Sequence, residues 1–195
     1  MPAATDGGDR LSASGSEATG ESDKSGLPLP KTLLSIAIDR LISWTGEAAS
    51  LAWPALMLII VAQVVARYAF GIGSVALEEF QWHLYAIGFM TGLAFTEVRG
   101  RNVRIDVLAE RLPRRARLWI EGIGLLLLLM PLCVVIVWFA IPYAWSSFQL
   151  SEVSASPGGL PFRWLLKTLI VVAFLLLALA CVSRASRVLA AFRQR

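Results

Sequence analysis

The sequence has few of the residues from which metal and redox sites are built. Its 195 residues include two cysteines and a single histidine, His83, and only 16% of them are charged. Cys133 and Cys181 lie inside apolar runs and form no CxxC pair, so each thiol is expected to behave as a small hydrophobic group. A four-ligand zinc site, a bis-histidine haem or a CxxC thiol oxidase is therefore not expected from this chain alone, and we predict no cofactor or metal.

Catalytic and nucleic-acid-binding motifs are also lacking. The serine-rich residues 146–156 contain no GxSxG nucleophile motif and have no histidine nearby in the sequence. The arginine-rich residues 99–117 are not interleaved with the aromatic side chains on which nucleobases stack. The sequence therefore predicts neither an enzyme nor a nucleic-acid partner.

Apolar residues dominate what is present. They make up 56% of the chain, and the charged fraction lies well below the roughly 25% that is typical of soluble domains. One soluble core of this size cannot bury that much apolar surface. We therefore predict an all-α integral membrane protein, in which the net charge of +4 belongs to the membrane boundaries.

The N-terminal region divides into two parts. Residues 1–30 are rich in glycine, serine, alanine and acidic side chains, so we predict a disordered tail ahead of a membrane domain of residues 31–195. From residue 31 to 47, Leu34, Ile38, Leu41 and Ile42 recur at helical spacing among polar residues. This pattern predicts an amphipathic helix in the membrane interface, with a water-exposed extension of the first span as the alternative.

Four apolar segments follow, at about residues 50–70, 79–97, 118–145 and 164–182, and each is long enough to cross about 30 Å of hydrocarbon. We therefore predict four transmembrane helices, the first two joined as an antiparallel hairpin by a short glycine-containing link. The third segment exceeds one crossing, and Pro131 is expected to kink it.

The distribution of arginine predicts the orientation. Arginines are concentrated in residues 99–117, RGRNVRIDVLAERLPRRAR, and in the C-terminal tail, whereas the other two links are poor in them. The positive-inside rule then places the N-terminus, the 99–117 loop and the C-terminus in the cytoplasm. Glu78, Glu79 and the loop containing Glu152 would face outward.

Several residues in the spans are candidate sites, each with a structural alternative. Gly88 and Gly92 form a GxxxG pattern, which favours close helix packing within the protein or a dimer seam. His83 lies one turn after Glu79, which allows a proton relay or a helix-contact histidine. Arg67 is placed to pair with the glutamates across the hairpin, or to remain solvated.

The middle of the predicted spans carries no charged residue. Ion-coupled transporters usually hold buried polar or ionisable groups near the membrane midplane. The pattern therefore indicates an accessory or scaffold subunit, and it places the translocation site in another chain.

Four strings, ARYAFG, LEEFQWHLY, RGRNVRIDVLAERLP and SEVSASPGGLPFRWLLK, occur in this order between the four spans. Together they resemble the small permease subunit of tripartite ATP-independent periplasmic (TRAP) transporters, the DctQ-like family, over about residues 31–190. The basic loop is the most specific element, because Arg104, Ile105 and Asp106 match the Arg-x-Asp core of the family. Asn102 occupies the position at which the family usually has histidine.

The resemblance implies a bacterial inner-membrane complex with two protein partners. A large permease subunit would carry the substrate and sodium sites, and a periplasmic solute-binding protein would deliver an organic acid or related solute. Uptake would be driven by sodium, and this chain would act as a scaffold surrounded by membrane lipids. The alternative is an independent four-span protein, such as an assembly factor or a small homo-oligomeric exporter.

Structural or interface roles follow for residues in three places. Arg104 and Asp106 would pair within the cytoplasmic loop, beside Asn102. At the other end, Arg67, Glu79 and Trp82 would fix the hairpin. The outer loop would be shaped for partner contact by Glu152, Pro157, Gly158, Gly159 and Arg163.

Overall fold

The computed structural model describes residues 29–30, 32–100 and 112–193. Within them there is no β-strand, so the predicted all-α class is confirmed. The elements are α1 (Leu33–Ser50), α2 (Ala52–Phe70), α3 (Val75–Val98), α4 (Arg114–Ile123), a π-helical segment (Gly124–Leu129), α5 (Met130–Gln149) and α6 (Trp164–Arg193). All but the last two residues of the predicted N-terminal tail lie outside the described residues.

Three helical segments of the described chain are long and apolar enough to cross a membrane: Leu33–Phe70, Arg114–Gln149 and Trp164–Arg193. The helix α3 is not among them. It nevertheless has 24 residues, which at about 1.5 Å per residue exceed the thickness of the hydrocarbon core. Four transmembrane spans therefore remain a prediction, in which α3 is the fourth span.

The helices α2, α3, α6 and α5 pack side by side in that order. The α2 helix packs on α3, α3 on α6, and α6 on α5, while α1 lies against both α3 and α6. In the described part of the chain, α2 makes no comparable contact with α5 or α6. This row of helices leaves broad apolar faces uncovered, which lipid can cover because it solvates such faces as well as another helix does.

Small side chains on α6 explain its position inside the row. Ala173, Ala180, Cys181 and Ser183 are each about 1% exposed. Short side chains let neighbouring helices approach closely, so dispersion contacts replace the hydrophobic driving force that lipid does not supply. One apolar cluster joins α6 to the other elements through Ile42, Ala94, Cys133, Leu176, Leu177 and Ala180.

The first helix begins with a capping box, in which Thr32 and Ser35 exchange side-chain and backbone hydrogen bonds. Its predicted apolar stripe divides between two environments. Ile42 is buried against the row, whereas Leu34 and Leu41 are exposed. The protein-facing side instead includes the polar residue Ser35, which is fully buried.

The third apolar segment runs as one helical rod from Arg114 to Gln149. The kink expected at Pro131 stays a prediction, but a π-helical segment lies directly before this residue, and there the Met130 N–H bonds to the Leu125 carbonyl five residues back. Proline lacks an N–H and its ring collides with the carbonyl of the preceding turn, and a wider turn relieves both problems. A second proline, Pro142, lies inside α5.

The predicted C-terminal tail is not a separate segment in the described residues. The fourth apolar segment was expected to end near residue 182, but α6 continues to Arg193. Arg184 and Val188 are buried in this continuation. The helix can continue inside the protein because carboxylates on other elements neutralise its arginines.

Candidate interaction sites at the two ends of the helix row

Polar side chains collect at the two ends of the row. The hairpin end comprises the link 71–74 and the loop 150–163, and the basic end comprises α1, the end of α3, α4 and the end of α6. The acidic and basic side chains of the described helices lie toward these ends, and the central turns are apolar or neutral. Both ends are therefore candidate sites for contact with other molecules.

At the hairpin end, Glu78 joins α3 to α2. Its Oε1 accepts a hydrogen bond of 3.1 Å from Gln63 Nε2 and lies 3.8 Å from Arg67 Nη1. Gln63 in turn accepts a hydrogen bond from Gln81. The Arg67–Glu78 pair is largely exposed, so it contributes little on its own. The buried amide of Gln63 and the half-buried amide of Gln81 join the two helices by side-chain hydrogen bonds.

Glu79 points instead to the loop 150–163. Its carboxylate accepts hydrogen bonds from the Ser154 hydroxyl and, at 2.6 Å, from the Leu160 N–H. Gly159 lies against this contact, because a Cβ there would be 2.9 Å from Glu79 Oε1 and 2.5 Å from Ser154 Oγ. Glycine is therefore required where the loop backbone meets the carboxylate, and Gly158 beside it has a left-handed φ of 77°.

Glu152 holds the same loop to α5 and α6. Its carboxylate accepts hydrogen bonds from the Ser147 hydroxyl at 2.6 Å and from Lys167, and its carbonyl accepts one from the Arg163 N–H at 3.2 Å. The hydrogen bond from Lys167, followed by that from Ser147, lowers the pKa of Glu152 below its ordinary value of 4.5. The Lys167 ammonium also lies 4.1 Å from the centroid of the Tyr143 ring.

The remaining candidates at the hairpin end line cavities. Trp82 is 69% exposed and borders a groove of ≈ 460 Å³ between α2 and α3, with Arg67. Arg163 borders a second cavity of ≈ 370 Å³ beside Glu79 and His83. The His83 Nδ1 lies 2.7 Å from the Glu79 carbonyl oxygen, and because a carbonyl only accepts, this nitrogen carries the proton.

The two glycines of the GxxxG pattern have different surroundings. A Cβ on Gly88 would lie 2.9 Å from Cε2 of Trp53, whose ring packs edge-on against Tyr85. A Cβ on Gly92 would meet no atom within 4 Å. Gly88 therefore serves the packing of α3 on α2, and Gly92 lies in open space.

The basic end contains a buried ionic cluster that the sequence reasoning missed. Arg184 is only 6% exposed; its Nε contacts Glu121 Oε1, and its Nη1 lies 3.4 Å from Glu97 Oε1. On α1, Asp39 accepts a 2.7 Å hydrogen bond from Ser183 and pairs with Arg187. In the sequence these arginines indicate only the orientation, although carboxylates at the ends of neighbouring apolar segments are a signal for their partners.

The basic loop itself falls outside the described residues. The expected pair of Arg104 and Asp106, and the role of Asn102, therefore stay predictions. Next to that loop, Arg99 at the end of α3 donates a 3.0 Å hydrogen bond to Glu47 near the end of α1. Within the described ranges, no group of three or more histidine, cysteine or acidic side chains is arranged to hold a metal ion.

Comparison with known proteins identifies the family of the chain. The family model described as "Tripartite ATP-independent periplasmic transporters, DctQ component" matches residues 56–191. A search of curated proteins gave no match. The matched region runs from the first turns of α2 almost to the end of α6 and covers most of the sequence. The chain therefore belongs to the DctQ family of TRAP transporter components.

Proposed function

We propose that this chain is the membrane scaffold of a TRAP transporter, on which a large permease subunit is held while it carries out sodium-driven uptake. The family makes the chain the small membrane component of such a transporter. The finer assignments, namely the scaffold role, the sodium coupling and an organic acid as solute, are inferences. They are supported by membership of the family and by the arrangement of the helices in a row.

The observation that carries the scaffold proposal is the row of helices. Exposed apolar side chains occur along both edge helices, for example Leu58 on α2 and Phe139 on α5. A row offers wide faces to another membrane protein, whereas a closed bundle of the same helices would bury most of them. Polar contacts at both ends hold the helices in register, so a mobile partner can move against a fixed surface.

The location of charge supports placing transport in another subunit. The charged side chains of the described helices lie toward the ends of the row, and substrate and ion sites in transporters are built near the midplane. We therefore assign substrate and sodium binding to the large permease. The proposed setting is the bacterial inner membrane, with four spans and both termini in the cytoplasm.

The loop 150–163 is proposed to contact the periplasmic solute-binding protein. Glu79 tethers it to α3 and Glu152 tethers it to α5 and α6, while Val153 and Phe162 remain exposed. A loop held at two points loses little conformational entropy on binding. This contact would widen the surface on which the binding protein docks.

The decisive experiment is reconstitution. The large permease is purified with and without this chain, placed in liposomes, and given loaded binding protein with or without an inward sodium gradient. We expect the two chains to copurify, and uptake to require both this chain and the gradient.

The alternative of an independent four-span protein predicts different results in the same assay. An assembly factor could be removed from the finished permease by detergent exchange without loss of uptake, and a small exporter would not copurify with the permease at all. Uptake by the permease alone at the full rate would overturn the scaffold proposal.

A further inference from the structure

A third cavity at the hairpin end lies where α3, α5 and α6 converge. It has a volume of ≈ 320 Å³, and its polar wall includes two cations and one carboxylate: Tyr143, Glu152, Arg163 and Lys167. Its other wall is apolar and includes Met90, Leu166, Leu169 and Ile170. The lining therefore changes along the chain, from the cationic side chain of Arg163 just before α6 to the apolar side chains of Leu169 and Ile170 about two turns into that helix.

The charges around this cavity leave one cation without a dedicated partner. Lys167 is paired with Glu152, and the carboxylate of Glu79 already accepts two hydrogen bonds. Among the described residues, the exposed Arg163 side chain forms no ion pair within 4 Å, and the carboxylates on which its charge acts, those of Glu79 and Glu152, accept their hydrogen bonds from other groups. A guanidinium in that position can bind a phosphate through two parallel hydrogen bonds.

Aromatic side chains mark the depth of the cavity in the membrane. Trp164 follows Arg163 directly and packs edge-on against Phe148, with ring centroids 5.3 Å apart, and Trp145 lies beside Phe148. Tryptophan and tyrosine are enriched where the headgroups meet the hydrocarbon. The cationic wall is therefore at headgroup level, and the apolar wall lies on the acyl-chain side of it.

We propose that this cavity is a phospholipid site, in which Arg163 binds the phosphodiester and an acyl chain lies along Leu166, Leu169 and Ile170. The phosphate of a membrane lipid fits Arg163, the cation that remains after Lys167 pairs with Glu152, and its chain fits the apolar wall that continues toward the bilayer centre. The proposal concerns this chain alone and does not depend on the scaffold role.

Native mass spectrometry of the full-length chain in detergent tests the site. The protein is titrated with phosphatidylglycerol, phosphatidylethanolamine and diacylglycerol of identical acyl chains. We expect both phospholipids to remain bound and diacylglycerol, which lacks the phosphate, to be lost. The variant Arg163→Gln should weaken phospholipid binding about tenfold, as expected for the loss of a charge-assisted contact.

Two further variants separate this site from general lipid adhesion. Ala86 on α3 also lines the apolar side of the cavity. Ala86→Phe fills that side without changing charge, and should weaken binding of both phospholipids. Arg67→Gln removes an exposed cation from the same end of the row but outside this cavity, and should leave binding unchanged. The proposal is overturned if diacylglycerol binds as well as the phospholipids, if Arg163→Gln binds like the wild type, or if Arg67→Gln has an equal effect.

Discussion

At the scale of single residues, neighbouring side chains perform different tasks. Glu78 and Glu79 are adjacent in sequence, but successive residues on a helix point about 100° apart. Glu78 consequently faces α2 and Glu79 faces the loop 150–163. The sequence presented them as one acidic pair for Arg67, whereas among the described residues the structure pairs Arg67 with Glu78 and not with Glu79.

Replacing Glu79 should release the loop. In Glu79→Gln the uncharged amide accepts more weakly from Ser154 and from the Leu160 N–H, so we expect hydrogen exchange at Leu160 to accelerate about tenfold. Exchange measured by mass spectrometry on the detergent-solubilised protein would show it. Glu78→Gln is the matched control and should leave this amide protected; equal protection in both variants would contradict the tether.

The two glycines of α3 should respond differently to the same substitution. Gly88→Ala drives a methyl group into the Trp53 ring, which should cost about 1–3 kcal/mol of stability through overpacking. Gly92→Ala has open space and should be neutral or stabilising by up to about 1 kcal/mol, because alanine favours helix. Thermal unfolding followed by tryptophan fluorescence compares them, and equal shifts would contradict this packing.

At the scale of elements, buried charge joins helices that are distant in sequence. Arg184 on α6 contacts Glu121 on α4 and Glu97 on α3, while Arg187 contacts Asp39 on α1. Ionic groups removed from water are costly unless paired. The cluster therefore specifies which helix ends meet, and it keeps α6 helical beyond the last apolar turn.

Removing Arg184 should destabilise the basic end. Arg184→Leu removes a buried cation that contacts Glu97 and Glu121, and breaking such a group typically costs about 3–5 kcal/mol. We expect a large fall in the unfolding midpoint in detergent. The control is Arg193→Leu, an exposed arginine on the same helix, which should change the midpoint little; a similar fall in both would place the effect in net charge.

The attachment of the loop 150–163 to α5 and α6 should become less stable in acid. The folded-state pKa of Glu152 is lowered, chiefly by the hydrogen bond from Lys167, so its stabilising contribution is present above the ordinary pKa of 4.5 and is lost as the pH falls through the lower folded value. We expect protease sensitivity of the loop to rise below pH 4.5 in the wild type. In Glu152→Gln the loop should be sensitive to protease at every pH. If its sensitivity instead rises in acid as it does in the wild type, Glu152 is not the group responsible.

At the scale of the whole molecule, the arrangement of the helices predicts which segments lie on opposite sides of the membrane. If α3 crosses the membrane, the link 71–74 and the start of α4 lie on opposite sides. The native thiols of Cys133 and Cys181 are buried, so they give little background in labelling experiments. The orientation is therefore open to a direct test.

Cysteines introduced at Gly73 and Arg115 should report the two sides. Gly73 has open space around it and Arg115 is exposed, so both substitutions should be tolerated. In intact cells, a membrane-impermeant maleimide should label Gly73→Cys, and it should label Arg115→Cys only after permeabilisation. Labelling of both from the same side would show that α3 does not span, and would overturn the four-span topology.

The sequence by itself determined the membrane class, the all-helical fold and the family. These properties are local, because apolar runs of bilayer length and arginine-rich boundaries are visible in one dimension. The apolar runs did not determine every helix end, because α6 continues to Arg193, about three turns beyond the predicted end near residue 182. The turn at Pro157 and Gly158 in the loop 150–163 was also predicted from its Pro-Gly-Gly sequence.

Only the tertiary structure decided which surfaces meet. The row order, the division of Glu78 and Glu79 between two partners, the burial of Arg184 and the inward face of α1 each depend on segments far apart in sequence. In lipid, apolar patterning does not choose between helix neighbours, because lipid and protein solvate apolar side chains about equally well. The choice falls to small side chains and paired polar groups, whose partners become visible only when the helices are placed together.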